Sequence, residues 1–249
     1  MPFAATTSLV ALIVVWGVSS QLLQTDVFPG PLVVFESLSR EASSGELWVH
    51  LNATFGRVLA AFGLAWISGV FIGVLLGRSD LLDRWFWPWV NIFLNMPALV
   101  VIVICYLGLG MTELAAILAV VINKAPLIAV NVRDGVRQFE SRYEEFAQVY
   151  ELSWVQKLRF VWIPQLEPFL FTALRTGLSL TWKIILVVEL LGRSSGIGFQ
   201  IHLYFQLFEV DMILAYALSF MIAMQLIEWF VVRPLEQHVQ RWRKDGQLV

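Results

Sequence analysis

Long apolar runs such as Ala98–Leu107 constrain this chain more than any other feature. A hydrocarbon core takes about 20 apolar residues per helix. Stretches of that length occur at Phe3–Leu22, Thr54–Leu76, Phe86–Leu107, Leu114–Val132, Phe169–Leu191 and Met212–Val232. Only 14% of the 249 residues are charged and 58% are hydrophobic, whereas soluble domains carry about 25% charged side chains. Mean hydropathy is +0.73. So few charges cannot cover a water-facing surface, so the solvent for most of the chain is lipid, and the expected class is an all-α, polytopic membrane bundle of about six helices. A soluble enzyme, a DNA-binding protein and a disordered adaptor are excluded. The net charge of −2 implies no nucleic-acid partner. The one cysteine, Cys105, lies inside an apolar run and supplies neither a disulfide framework nor a thiolate metal site.

Orientation follows from the basic residues outside the spans. On one side fall Arg78, Arg84, Arg133, Arg137, Arg142, Lys157, Arg159, Arg233, Arg241, Arg243 and Lys244; on the other, Arg40, Arg57 and Arg193. That asymmetry places both termini and the 133–168 linker in the cytoplasm. The first span lacks a basic leading segment and an A-x-A-like cleavage site, so it reads as retained. In span two, Gly69, Gly73 and Gly77 recur every fourth residue and make a face on which another helix can approach closely, inside the bundle or across a dimer. No long internal repeat is visible, so a pathway between pseudosymmetric halves requires a second copy or a related subunit. The whole chain, 1–249, reads as one transmembrane domain.

The 133–168 linker is several times longer than the other cytoplasmic connection. Ser141 followed by Glu144 predicts a capping box, and Phe146, Val149 and Tyr150 then share a helical face. Ser153 predicts the cap of a second helix, Trp154–Ile163, ended by Pro164 and Pro168. Such an apolar face outside the membrane must be covered by a partner, by the bilayer or by the bundle itself.

The segment from Glu145 to Pro164 resembles the EAA loop of ABC importer permeases. There a Glu-Ala-Ala triplet is followed by a glycine and, at fixed distance, by an aliphatic-Pro pair. Glu145, Ala147 and Pro164 match, and Pro168 matches a second proline. Leu174-Arg175, Trp182, Glu189 and Gly196-x-Gly198 resemble the nitrate, sulfonate and taurine branch, as do Pro31, Gly45-Glu-Leu-x-x-His50, Arg57 and Gly77 upstream. The resemblance implies the type I ABC importer permease fold and a membrane subunit without its own catalysis. It also implies two ABC ATPase subunits, a second permease copy or homologous permease, and an extracytoplasmic substrate-binding protein. It places ATPase coupling on Glu145, Phe146, Ala147, Val149, Tyr150, Glu151 and Pro164. Two positions depart from the pattern: Phe146 replaces the middle alanine, and Glu151 stands where the family has glycine. Glu151 is expected either to leave the turn in ordinary φ/ψ or to lengthen the first helix.

Charges within the spans are costly and face an interior. Arg175, Trp182 and Glu189 are spaced by seven and fall within about 40° on a helix. With Lys183 on a neighbouring face, they are the candidate lining of a translocation pathway; structural ion pairs are the other reading. Lys124 and Glu228, near span ends, are expected to snorkel. The sequence contains no phosphate-cradling Gly-x-x-x-x-Gly-Lys-Ser/Thr loop, no H-E-x-x-H and no nucleophile elbow, so neither catalysis nor a metal or other cofactor is expected. The resemblance implies an ATP-driven importer subunit for a small anion of the sulfonate, nitrate or taurine kind, and the excess of Arg175 and Lys183 over Glu189 agrees with an anion. Two alternatives stay open: a secondary carrier using Glu189 and Lys183, which needs inverted repeats, and a scaffold subunit, which needs no charged interior stripe.

Overall fold

The computed structural model describes residues 2–23, 25 and 27–234, so Arg241, Arg243, Lys244 and His238 of the expected tail lie outside the described residues. Among the described residues there are helices and no strands. In order they are α1 (Pro2–Leu23), α2 (Pro31–Ser44), α3 (Glu46–Arg78), α4 (Asp80–Asn95), α5 (Ala98–Leu109), α6 (Glu113–Arg137), α7 (Ser141–Val149), α8 (Trp154–Lys157), α9 (Ile163–Gly192), α10 (Ile197–Leu207) and α11 (Val210–Ile227). Turns of π-helix at Leu158–Trp162 and Glu228–Val232 join α8 to α9 and extend α11. In lipid every backbone N–H and C=O must be satisfied within the segment, which is why the apolar runs become helices. Among the described residues four helices are long and apolar enough to cross a membrane, and counting two bent pairs as one span each brings the number to six.

One bent pair corrects the expected third span. Phe86–Leu107 is not a continuous helix: α4 and α5 meet at 97°. The cause is Pro97, whose ring drives the preceding residue out of the helical region. Met96 is extended at φ −71°, ψ 127°. Pro126, by contrast, is absorbed inside α6. The expected spans one, two, four, five and six each fall within one helix or its π extension.

By contacts the chain divides into two compact units. One comprises the residues up to Phe55 together with Glu189–Leu226; the other comprises Gly56–Val188 and the residues from Ile227 onward. In the first, Ser37 Oγ donates to Asp211 Oδ2 at 2.6 Å and the Tyr216 hydroxyl donates to Glu41 Oε2 at 2.7 Å. These bonds hold α2 against α11.

In the second unit the glycine stripe of α3 lies on α6. A Cβ at Gly69 would meet Ala125 O at 2.8 Å; at Gly73, Ala129 O at 2.6 Å; and at Gly77, Val136 Cβ at 2.6 Å. The stripe therefore packs inside the protomer. Asp83 of α4 clamps the end of the same helix: Arg133 Nη2 donates to its Oδ2 at 2.7 Å and Arg137 Nη2 at 2.8 Å. The Arg133 guanidinium also lies 3.9 Å from the Trp87 ring centroid.

Two expected snorkelling charges lie elsewhere. Glu228 sits 3.5 Å from Arg175, an ion pair. Lys124, near the midpoint of α6, is buried at 8% exposure.

The Gly73 contact yields a prediction. The clash meets a backbone carbonyl that cannot rotate away, so Gly73→Ala should cost about 1–3 kcal/mol. At Gly56, where an added Cβ meets nothing within 4 Å, the same change should be neutral or stabilising by up to about 1 kcal/mol. Thermal unfolding of both variants in detergent checks the pair; equal midpoints would refute close α3–α6 packing.

Candidate functional site

The loop that carries the family-like motif is built on a short helix. α7 begins after Glu140, which makes no side-chain cap. Ser141 is therefore the first helical residue and not the cap, correcting the expected capping box. Glu144 is engaged elsewhere: its Oε2 accepts from Trp162 Nε1 at 3.2 Å. The Arg78 guanidinium lies over the same indole at 3.4 Å. Trp162 is thus held from one edge by a carboxylate and over one face by the cation at the end of α3.

The two faces of α7 differ sharply. Ala147 is fully buried and α7 packs on the 158–162 turn. Phe146, Val149 and Tyr150 are 52%, 78% and 64% exposed, and the Phe146 and Tyr150 rings lie 4.3 Å apart. Glu145 is exposed as well. A small residue is required where the helix meets the turn. The aromatic pair points out of the unit.

Glu151 departs from both expected behaviours. It neither adopts ordinary φ nor lengthens the helix; its φ is +48°. The Glu151 amide donates to Gln148 O and the Leu152 amide to Ala147 O, both at 3.0 Å. That pair of bonds is a Schellman turn, with Glu151 in the left-handed position usually held by glycine. The two recovered hydrogen bonds outweigh the strain of a Cβ there, about 1–2 kcal/mol.

Ser153 caps α8 as expected, in a reciprocal capping box with Gln156. The helix does not stop at Pro164, however. It passes through the π turn, where the Ile163 amide donates to Leu158 O, into α9. Pro164 falls in the first turn of α9 and Pro168 within it. The widened turn before Pro164 gives its ring the room that a tighter α-turn would deny. Loop and fifth span are therefore one continuous helix.

The expected charged stripe of α9 is divided among separate partners. Arg175 pairs with Glu228, Trp182 is buried, and Lys183 is exposed. Glu189 is fully buried in the other compact unit, accepting from Thr54 Oγ1 and from the Gly198 amide at 2.9 Å each. The Ile197 amide donates to Thr54 Oγ1 at 2.8 Å, and the Gly196 amide donates to His50 Nδ1 at 3.0 Å. Since Nδ1 accepts, the ring proton sits on Nε2, 2.5 Å from the Gln200 amide nitrogen; two donors cannot bond, so the Gln200 carboxamide is assigned turned over, with its otherwise unpartnered Oε1 accepting from His50. The amides of Gly196, Ile197 and Gly198 at the start of α10 thus have acceptors, and the Glu189 carboxylate supplies the negative charge that a helix N-terminus favours. Gly196, at φ +109°, has no room for a side chain: an added Cβ would lie 2.3 Å from Glu189 Oε1.

His50, Thr54 and Gln200 are the partners that sequence reading missed around Glu189. Gly-x-Gly before an apolar run was the available signal for a helix start in close contact with an anion. Glu144 and Trp162 were likewise assigned to separate helices. Nothing in their spacing of 18 residues announces a bond.

The family described as binding-protein-dependent transport system inner membrane component matches residues 69–241. The putative aliphatic sulfonates transport permease protein SsuC of Bacillus subtilis is 28% identical, over 94% of this chain and 85% of its own length. The taurine transport system permease protein TauC of Escherichia coli is 27% identical, over 97% and 90%. The bicarbonate transport system permease protein CmpB of Synechococcus elongatus is 30% identical, over 82% and 77%. Among solved structures, a chain of the inward-facing MetNI methionine ABC transporter superposes with TM-score 0.61 at 21% identity, covering 73% of this chain and 92% of that one. The fold is that of type I ABC importer permeases.

The turn at residue 151 supplies the prediction here. Glu151→Gly removes the strained Cβ and should stabilise the loop by about 1 kcal/mol net of the extra chain entropy of glycine. Hydrogen exchange at the Leu152 amide should slow, with a higher unfolding midpoint. Faster exchange would show that Glu151 is not left-handed in the protein.

Proposed function

The chain belongs to the binding-protein-dependent transport system inner membrane components, the permease subunits of ABC importers, and on that premise we propose that it passes a small anion. It is a multi-pass membrane subunit that works with ATPase and substrate-binding protein partners. Support for the anion comes from the relatives named for sulfonates, taurine and bicarbonate. The same charge is favoured by exposed Lys183 on α9, whose neighbour Trp182 is buried. Of the expected pathway residues, Lys183 is free to meet a solute, whereas Glu189 fixes the start of α10 and Arg175 is paired with Glu228.

In this reading the whole chain, 1–249, acts as one permease domain with 133–168 as its cytoplasmic coupling segment and both termini inside. The excess of Lys and Arg on that side supports the orientation. Two permease copies, or this chain and a homologous one, enclose the pathway above two ATPase subunits. The single observation that carries the coupling role is the exposed Phe146–Tyr150 pair, 4.3 Å apart on a helix whose other face is sealed by Ala147. An apolar helix face of this kind lies into a groove. ATP closes the ATPase dimer, the groove carries α7, and the bundle tips between inward- and outward-facing states. Glu144, Trp162 and Arg78 tie α7 to the end of α3, so movement of the loop reaches the helix packed on α6. Pro164 and Glu151 shape the loop that carries this face.

Aromatic anchors in a partner's pocket cost more than about 2 kcal/mol when truncated. Phe146→Ala should therefore weaken ATPase association or leave hydrolysis uncoupled from uptake, with membrane insertion intact. Glu145→Gln should give a milder form of the same defect. ATP hydrolysis and solute uptake measured side by side in proteoliposomes decide it; normal coupling in Phe146→Ala would leave the face to the bilayer.

A further inference from the structure

Lys124 is the buried charge that the fold does not explain. Among the described residues, the other buried acidic and basic side chains all have partners. Arg57 meets Glu113, Asp83 meets Arg133, Glu189 meets Thr54 and Gly198, and His50 meets Gly196. Lys124 is 8% exposed, and no hydrogen bond or ion pair reaches it from the described residues. Near the midpoint of a membrane-spanning helix, an ammonium without a counter-charge is costly and marks a functional position.

Helix register shows what shares its depth. An added Cβ at Gly135 would meet the Phe169 ring at 2.6 Å, and one at Gly177 would meet Ile128 Cγ1 at 3.5 Å. As the chain rises through α6 it therefore falls through α9: the two helices are antiparallel. Four residues from Ile128 toward the start of α6 is about 6 Å, which brings Lys124 level with Thr181 four residues beyond Gly177. Thr181 is fully buried, Trp182 follows it, and Lys183 lies about 3 Å farther along the axis. Two ammonium groups and a hydroxyl thus share one depth in the membrane. The Thr181 hydroxyl donates to Gly177 O at 2.8 Å and keeps lone pairs that a lysine can reach.

We propose that Lys124 is a substrate-contacting residue, supplying the counter-charge for a solute that bears a sulfonate, nitrate or carboxylate group as it passes the middle of the membrane. The assignment rests on the anion reading above and adds to Lys183 a second, nearly closed cation at the same level. At 8% exposure little water reaches it, so the charge acts in a medium where a single charged hydrogen bond discriminates strongly. In the conformation described here Lys124 is nearly closed off, at 8% exposure; tipping of the bundle between its two states opens it further.

The test uses the complete transporter, with its ATPase and binding protein, reconstituted in liposomes. Uptake of ethanesulfonate, taurine, nitrate and bicarbonate is compared with that of neutral and cationic amino acids. Lys124→Met, similar in length and uncharged, should lower anion uptake at least about tenfold, the loss expected for one charged hydrogen bond. Subunit assembly and the unfolding midpoint should be kept or improved, since an uncompensated charge has been removed. Lys124→Arg should recover most of the uptake, which a packing role would not allow. Wild-type uptake in Lys124→Met overturns the assignment while leaving the anion reading standing. Loss of assembly or a fall in the midpoint also overturns it, because Lys124 would then be structural or paired across two permease copies. A wild-type transporter that moves only neutral or cationic solutes overturns the anion reading, and Lys124 as an anion contact falls with it.

Discussion

Close approach of α3 to α6 is the contact on which the second compact unit depends. Lipid tails are as apolar as leucine, so two helices in a membrane gain little by hiding apolar surface from their surroundings. They associate when their backbones come near enough for dense van der Waals contact. Gly69, Gly73 and Gly77 provide that, setting α3 directly on the carbonyls and β-carbons of Ala125, Ala129, Val132 and Val136. Polar contacts then finish each end of the pair. Arg57 of α3 bonds bidentately to Glu113 at the start of α6, and beyond Gly77 the Arg78 guanidinium turns onto Trp162.

Buried polar groups in this chain show a second consequence of lipid. With no water available, a helix that starts inside the protein must find acceptors for its first amides. α10 finds them in Glu189, Thr54 and His50. Glu189 therefore resembles a pathway carboxylate by position and spacing while its hydrogen bonds make it a capping group. Sequence periodicity reports which face of α9 a residue occupies. It does not report what meets that face.

Much of the fold is legible because lipid leaves few options. The apolar runs, the capping serine at Ser153 and the small-residue stripe each depend on residues close together in the chain, and each is found where the sequence places it. One group of misses shares a feature: a local rule is overridden by its immediate geometry. Pro97 breaks a span because Met96 is forced extended, whereas Pro126, Pro164 and Pro168 are carried within helices. Proline identity alone does not separate these cases. At Pro164 the turn before the ring is widened, at Leu158–Trp162, whereas Pro126 and Pro168 are carried in α-helix. Glu151 shows the same limit, since a Schellman turn closed by two hydrogen bonds holds a non-glycine residue at φ +48°. For the candidate site, the exposed face of α7 was readable from the positions of Phe146, Val149 and Tyr150. The burial of Lys124 was not, because it depends on α9 lying antiparallel to α6.

Continuity from α8 into α9 changes how the coupling loop works on the proposed reading. Had the second loop helix ended at Pro164, the proline would be a joint and the ATPase would push on a flexible arm. Instead Trp154–Gly192 runs without a break through the π turn. A helix transmits axial and bending loads along its hydrogen-bonded ladder, so a displacement at Trp154 is felt at the depth of Thr181 and Lys183. The joint lies one step earlier, at the Glu151 turn between α7 and α8. There two backbone hydrogen bonds hold the angle and one strained residue raises its energy. In this arrangement α7 takes up the motion of the groove, the turn sets the lever angle, and the long helix delivers the motion to the level of the unpaired ammonium. A strained turn is a reasonable hinge for that purpose, since the state it opposes lies only about 1–2 kcal/mol away.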